Sequence, residues 1–351
     1  MGNFSQVTLA TLLAILLLGF YMISSIETNN QIISRLICPQ PAPSNLSALQ
    51  PKPLSFLSHT VNEERRRKIH MFWVSNVNIN LNRKVESAFR SALRTQSEAQ
   101  VIVWTLPSHV TALLHQTQAL RELHCASGST LEVRSTDDLL ELALKADNPL
   151  LRSCSNSFKA TEGSMVHFSD FIRFMVLYFF GGIYVDADTM FLQDMRSLHG
   201  QSFAYKWDRD VTYYNTAIMG LPKGSPLVPH IISKAGACNP GAFYPIYVSD
   251  KLECSSGVCE GLIMMPTSLF NPSSGAQNNW RWNDNGFQNL GMTADWFFNR
   301  PRLWGLDNFF PGAYTFHWHN RWDMAIHNES FFADLERLNA NCSTSPFSKV
   351  T

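Results

Sequence analysis

Residues 169–188 read SDFIRFMVLYFFGGIYVDAD, and this stretch decides the architecture around it. Ser169 suits an N-cap, and Asp170 suits the first helical turn, where the helix dipole favours an acid. Phe171, Phe174, Met175, Leu177 and Tyr178 make the predicted helix apolar enough to be largely buried. Gly181-Gly182 supplies the left-handed backbone that ends a helix. Ile183-Tyr184-Val185 then opens a strand that runs into Asp186-Ala187-Asp188.

Residues two apart in a strand point to the same side, with Cα atoms about 6.6 Å apart. Two carboxylates placed so repel each other unless a cation sits between them. An oxygen-preferring divalent ion, Mn²⁺ or Mg²⁺, meets that need and completes its coordination with phosphate and water. Asp170 and Arg173 lie on one helix face. An Arg on so apolar a helix is costly without a partner or an anionic ligand. An Asp-x-Asp by itself usually marks a solvated turn, so the flanks carry the metal reading. An EF-hand is excluded, because Met190 occupies the next ligand position and no Gly follows. A dinucleotide loop does not fit, because Gly181-Gly182 precedes the strand. A glycosidase pair, with carboxylates about 5–10 Å apart, is compatible with the spacing. Relief of repulsion predicts that Asp188→Asn keeps or raises metal-free stability.

Upstream, residues 69–74 read as a buried strand and 84–94 as a helix, with Val85, Ala88, Phe89 and Ala92 on one side. Residues 101–104 form a second predicted strand and 130–134 a third. A helix over 137–146 follows, with Asn148-Pro149 as its stop. This alternation is the signature of a parallel sheet wrapped by helices, which binds ligands beyond the carboxyl ends of its strands. Downstream, 214–221 reads as a strand and 226–237 as a helix. Residues 240–312 give no reliable element, and their Trp280, Trp282, Trp296 and Trp304 suit packing better than sugar platforms.

The 351 residues balance 28 basic against 28 acidic side chains, and zero net charge argues against a nucleic-acid partner. With 45% hydrophobic and 16% charged residues, the chain is not disordered. Residues 7–26 carry no charge. As a helix they rise about 30 Å, the thickness of a bilayer core, and they exceed the apolar region of a cleaved signal peptide. The expected layout is a cytosolic tail over 1–6, a signal-anchor over 7–26, a Pro/Ser-rich stem over 27–68 and a lumenal domain over 69–351. Pro39, Pro41, Pro43, Pro51 and Pro53 extend the stem, and the basic run at 65–68 reads as a solvated end to it. The flanking charges do not set the membrane orientation. Seven cysteines fit no zinc spacing. Those beyond the stem suit disulfides, and Cys38, left over in the stem, is available to join two chains. Sequons at Asn45, Asn328 and Asn341 agree with an oxidising lumen.

The run S-D-x-x-R followed by G-G-I-Y-x-D-x-D resembles the DXD-containing sugar transferases. That family includes Golgi α-1,4-galactosyl- and α-1,4-N-acetylglucosaminyltransferases and the yeast initiating α-1,6-mannosyltransferase. The resemblance implies a Rossmann-like α/β fold of the GT-A type, a nucleotide-sugar donor, a divalent metal and retention of anomeric configuration. It implies that Asp170 and Arg173 hold donor-sugar hydroxyls and that Tyr184 lies beside the nucleotide. Asp186 and Asp188 match the pair that binds ribose and metal, Asp188 more directly. IHMFW at 69–73 is similar to the family's first strand, whose Trp, here Trp73, stacks on the donor base. Asn215 is similar to an Asn near the transferred sugar. YTFHWHN at 314–320 resembles the C-terminal stretch whose His completes the metal site. His317 is the favoured match, and His319, on the same predicted strand face, is the alternative.

The expectation is a Golgi type II membrane glycosyltransferase, with a UDP-linked hexose or N-acetylhexosamine as donor and a glycan or glycolipid as acceptor. Catalysis is assigned to Asp186, Asp188 and Arg173. Donor binding adds Trp73, Asp170, Tyr184 and Asn215, and metal binding adds His317. The rival readings are a GDP-mannose-dependent mannosyltransferase and a non-catalytic lumenal carbohydrate-binding protein.

Overall fold

The computed structural model describes residues 66–74, 81–160, 165–206, 214–235, 254–255, 258–259, 261–272, 294–299 and 312–340. The expected tail and anchor, and the stem through residue 65, lie outside the described residues, as do Cys38, Cys238, Cys342, Asn45 and Asn341. Among the described residues, no helix is long and apolar enough to cross a membrane.

In chain order the elements are β1 (Arg67–Phe72), α1 (Arg83–Thr95), β2 (Ala99–Thr105), α2 (Val110–Gln116), α3 (Gln118–Arg121), β3 (Thr130–Ser135), α4 (Thr136–Leu144) and α5 (Pro149–Ala160). They continue with α6 (Met165–Phe180), β4 (Gly182–Val185), β5 (Thr189–Phe191), β6 (Phe203–Lys206), β7 (Tyr214–Leu221) and α7 (Leu227–Lys234). The last are β8 (Cys254–Ser255), β9 (Val258–Cys259), β10 (Leu262–Met265), α8 (Ala294–Asn299), β11 (Thr315–His317) and α9 (Phe331–Ala340).

One sheet has the order β3-β2-β1-β4-β7-β6-β10-β9-β8, and β5 and β11 form a separate two-stranded ribbon. Strands β3, β2, β1 and β4 run parallel, so their carboxyl ends make one edge. β7 is antiparallel to β4. The mixed α/β fold with a parallel-rich sheet agrees with the expected fold class. Each sheet face has its own core. On one, Val85, Phe89 and Leu93 of α1 meet Val101, Val103, Phe316 and Phe332. On the other, Phe171, Phe174 and Met175 of α6 meet Ile102, Trp104, Leu139 and Ile231.

Local chemistry sets most of the boundaries. Asn82 caps α1 by accepting from the Lys84 N–H at 2.9 Å, and Ser135 caps α4 by accepting from Asp137 N–H at 3.1 Å. Three expectations need correction. Asn148-Pro149 lies beyond the end of one helix and starts another: Pro149 is the first residue of α5, and Asn148 Oδ1 accepts from the Leu150 and Leu151 N–H groups at 3.0 and 3.3 Å. Ser169 is not an N-cap, since α6 begins at Met165 and the Ser169 hydroxyl donates back to Val166 O at 2.9 Å. Phe168 explains the longer helix, because it packs 5.9 Å from Phe72 and 6.3 Å from Phe158. The basic run is not wholly a solvated stem end either. Arg67 and Lys68 lie in β1, and Arg67 pairs with Asp194 at 3.0 Å.

The end of α6 falls where expected. Gly181 and Gly182 have φ of +65° and +104°, and a Cβ at Gly182 would collide with the Lys68 carbonyl oxygen. Buried His70 ties this junction together. Its Nε2–H donates to Gly181 O at 2.9 Å while Nδ1 accepts from Trp104 Nε1–H at 3.1 Å. Burial lowers its pKa to about 3, so it is neutral with a fixed tautomer.

Candidate active site

β4 ends at Val185; the Asp186 N–H makes one more rung toward β7, donating to Ala217 O at 2.8 Å, and the chain then bends over 187–188. Asp186 and Asp188 therefore flank a bend between β4 and β5, not two positions of one strand as the sequence suggests. The outcome is still convergence. One oxygen of each carboxylate and one nitrogen of His317 lie within 4.8 Å of one another.

Arg173 on α6 closes one side of this group. It is 6% exposed, and its guanidinium reaches Asp170 at 3.1 Å, Asp186 at 3.1 Å and the Thr216 hydroxyl at 2.5 Å. The same group lies 5.0 Å from the centre of the buried Tyr184 ring. An apolar helix thus carries its one deep cation with carboxylates on two elements to balance it. Burial raises the Asp170 pKa to about 6, with Arg173 opposing the rise.

The other side comes from the C-terminal part of the chain. In the β5–β11 ribbon His317 pairs opposite Thr189, the residue after Asp188. His317 Nε2 lies 3.1 Å from Asp188 Oδ1, and Nδ1 lies 3.0 Å from the Tyr205 hydroxyl. The chain then leaves the strand. His319 and Asn320 take φ of +49° and +58°, which turns the Asn320 N–H onto Asp188 Oδ2 at 2.6 Å. His319 is near His317, with ring centres 3.9 Å apart, but its Nε2 is bonded to the Asn271 amide at 2.6 Å. Among the described residues, the triad able to hold a cation contains His317 and not His319.

A β-bulge supplies the floor. The β6–β7 register jumps between Ala204, opposite Met219, and Tyr205, opposite Asn215. Residues 216–218 fall in the gap, and that is the segment that gives Thr216 to Arg173 and the Ala217 carbonyl to Asp186. Asn215 is buried, its Oδ1 accepting from Ala217 N–H at 2.7 Å and its Nδ2 unpartnered. Trp73 follows the carboxyl end of β1 and stands 5.2 Å from Trp322, whose Nε1–H donates to Asn320 Oδ1 at 3.1 Å. It reaches the Asp188 side of the site only through that chain. Tyr205 and Thr216 are site residues that sequence reasoning missed, and Asn320, the last residue of the 314–320 stretch, gains a role there that the sequence did not assign.

The charges test the fit of a cation. Three carboxylates, Asp170, Asp186 and Asp188, share one guanidinium. Burial, and then the charge of Asp188, raise the Asp186 pKa even against Arg173. Asp188 goes the other way, to about 2: burial penalises its charge, but His317 and the Asn320 N–H outweigh that. His317 is raised despite its burial, because Asp188 faces it. Two carboxylates and an imidazole form a donor set suited to Mn²⁺ or a similar divalent ion.

Residues 82–204, which hold α6, β4 and the Asp186–Asp188 bend, match the family model for a glycosyltransferase sugar-binding region containing a DXD motif. No curated protein is similar enough to match. Among solved structures the chain is similar to the PaToxG glycosyltransferase, at 16% identity and TM-score 0.40 over 55% of this chain and 73% of that one. It is similar also to mouse xyloside xylosyltransferase 1 in its apo form, at 14% identity and TM-score 0.43, over 74% and 99%. A UDP-bound glycosyltransferase domain from the YGT toxin shares 10% identity at TM-score 0.34, over 48% and 61%. These likenesses are distant, and the chemistry rests on the family match and on this chain's own residues.

Proposed function

We propose that this glycosyltransferase moves a hexose or N-acetylhexosamine from a nucleotide sugar, UDP-linked, to a glycan or glycolipid acceptor with retention of configuration. The observation that carries the reading is the convergence of Asp186, Asp188 and His317 beside Arg173, at the carboxyl edge of β4. Those three residues would hold Mn²⁺ or Mg²⁺, which when bound acts as a Lewis acid toward the diphosphate leaving group. Arg173 offers a planar fork of N–H donors and Asp170 an adjacent acceptor, a pairing that grips sugar hydroxyls and turns the anomeric carbon toward the acceptor. Because Arg173 is already fixed by Asp170, Asp186 and Thr216, it needs little reorganisation during transfer. The buried Asn215 amide keeps an unpartnered N–H beside this group, the partly buried Trp73 supplies aromatic surface for the nucleotide, and the buried Tyr184 ring backs Arg173 from beneath. No protein nucleophile is required. On one face of the sugar the bond to phosphate oxygen breaks as the bond to the acceptor oxygen forms, and the acceptor proton passes to the departing phosphate.

A lumenal Golgi location, beneath a signal-anchor over 7–26, belongs to the same proposal. It is supported by the exposed Asn328 sequon and by the disulfide-bonded state of Cys125 and Cys154. The test is a screen of UDP- and GDP-sugars with and without Mn²⁺. Metal-dependent release of UDP from one UDP-sugar, with transfer to a glycan, is expected. A preference for GDP-mannose would reassign the donor. Metal-independent release of free sugar would indicate a glycosidase, and glycan binding with no turnover would overturn the enzyme reading.

A further inference from the structure

Tyr205 is fully buried in β6, its ring 5.4 Å from Phe270 and its hydroxyl 3.0 Å from His317 Nδ1. The other imidazole nitrogen, Nε2, lies 3.1 Å from Asp188 Oδ1. His317 is thus gripped at both nitrogens, by a carboxylate of the metal group on one side and by a phenol on the other. We infer that Tyr205 is a positioning residue that sets the tautomer of His317, and with it the readiness of Nε2 to ligate a divalent cation. This rests on the metal reading proposed above.

The hydrogen count carries the inference. A neutral imidazole has one N–H. When that proton is on Nε2 it donates to Asp188, and Nδ1 accepts from the Tyr205 O–H. For Nε2 to offer its lone pair to a cation, the proton must be on Nδ1, where it donates to the Tyr205 oxygen. The proton lost from Nε2 goes to solvent and one from solvent arrives at Nδ1, so the ring charge is unchanged. A phenol serves both settings, because its hydroxyl turns from donor to acceptor without moving the ring. A backbone carbonyl would serve only the second, and an apolar side chain neither. Tyr205 sits where the β6–β7 register shifts, with the extra residues 216–218 on β7.

Tyr205→Phe removes one oxygen and keeps the ring packed against Phe270. Mn²⁺ binding is followed by the paramagnetic resonance of free ion and by the metal-induced rise in Tm. The wild type is expected to bind, and the variant to bind roughly 10–100-fold more weakly, the usual effect of losing a partner behind a metal ligand. The ¹⁵N shifts of the His317 ring in the metal-free protein should also change, which loss of packing alone would not produce. Tyr205→Gln retains a group that donates and accepts, and is expected to bind Mn²⁺ more tightly than the Phe variant; it also serves should the Phe variant fail to fold. Wild-type protein that does not bind Mn²⁺ would sink the metal reading itself. Wild-type binding matched by Tyr205→Phe, with unchanged ring shifts, would overturn the role of Tyr205 and leave the metal reading standing.

Discussion

The two sides of the site are built from different stretches of the chain. Asp170, Arg173, Tyr184 and Asp186 come from one continuous helix–strand unit, and α6 is buried along Asp170–Leu177. His317, Asn320 and Trp322 come from a far segment, Asn320 lying 132 residues from the Asp188 carboxylate it touches. That segment enters the core through the fully buried Phe316 and Trp318, and polar bonds tie down the turn beyond them. Lys84 Nζ donates to the carbonyls of Arg321, Trp322 and Met324 at 2.7, 3.2 and 2.7 Å and lies 4.0 Å from the centre of the Phe298 ring. The difference teaches that the α6–β4 side is one contiguous buried unit, whereas the C-terminal side joins the core through Phe316 and Trp318 and relies on polar anchors for the turn that follows them.

Asp188 is where the two sides meet, so its loss should have the largest effect. Asp188→Asn is expected to cut Mn²⁺-dependent turnover by roughly a thousandfold, read by UDP release. It should also lower the metal-free Tm, reversing the expectation from repulsion, because Asp188 is satisfied by His317 and the Asn320 N–H. The sign follows from its pKa, near 2 when folded against a reference of 3.8. Its contribution is complete above about pH 4 and disappears as pH falls from about 4 to about 2. An unchanged metal-free Tm would count against this joint.

Arg173→Lys comes next, with transfer expected to fall roughly a hundredfold. A point charge cannot span Asp170, Asp186 and Thr216 as the planar fork does. Near-normal kcat would remove Arg173 from the sugar-facing side.

Lys84→Met tests the C-terminal side by itself. It strands buried carbonyls at a cost of about 1–3 kcal/mol. Amide exchange should quicken over 318–326 and stay slow in α6, with donor KM rising more than kcat falls. Uniform quickening in both would show that the two sides are one cooperative unit.

The smallest effect is a slope. The Asp170 pKa is about 6 when folded against 3.8, so the native state holds this proton more tightly than the unfolded chain. The carboxyl therefore lowers stability as pH rises from about 4 to about 6, and the cost is complete above that. Asp170→Asn should flatten the dependence of Tm on pH across this window, as calorimetry would report.

This division also marks how far the sequence could be read. The α6–β4 unit is legible because its apolar run, its glycine pair and its acids are contiguous. Ser169 misleads, since the pull of Phe72 and Phe158 on Phe168 acts through space and extends the helix upstream. The sheet spacing of Asp186 and Asp188 also misleads, because the pairing with β7 ends at the Asp186–Ala217 bond and Asp188 turns instead toward His317 and the Asn320 N–H, far along the chain. His317 is legible by resemblance, but its distinction from His319 depends on a left-handed turn at 319–320 that no local glycine announces. Tyr205, Thr216 and Lys84 look like ordinary strand and helix residues, and only their distant partners give them a role.

Gly182 carries no functional atom, yet it stands where β4 passes Lys68 at the start of the sheet. A single methyl there would wedge two neighbouring strands apart and shift the downstream acids against the indole on the adjoining strand. A screen for lost activity would flag this glycine alongside the proposed metal ligands, although its contribution is to spacing and not to chemistry.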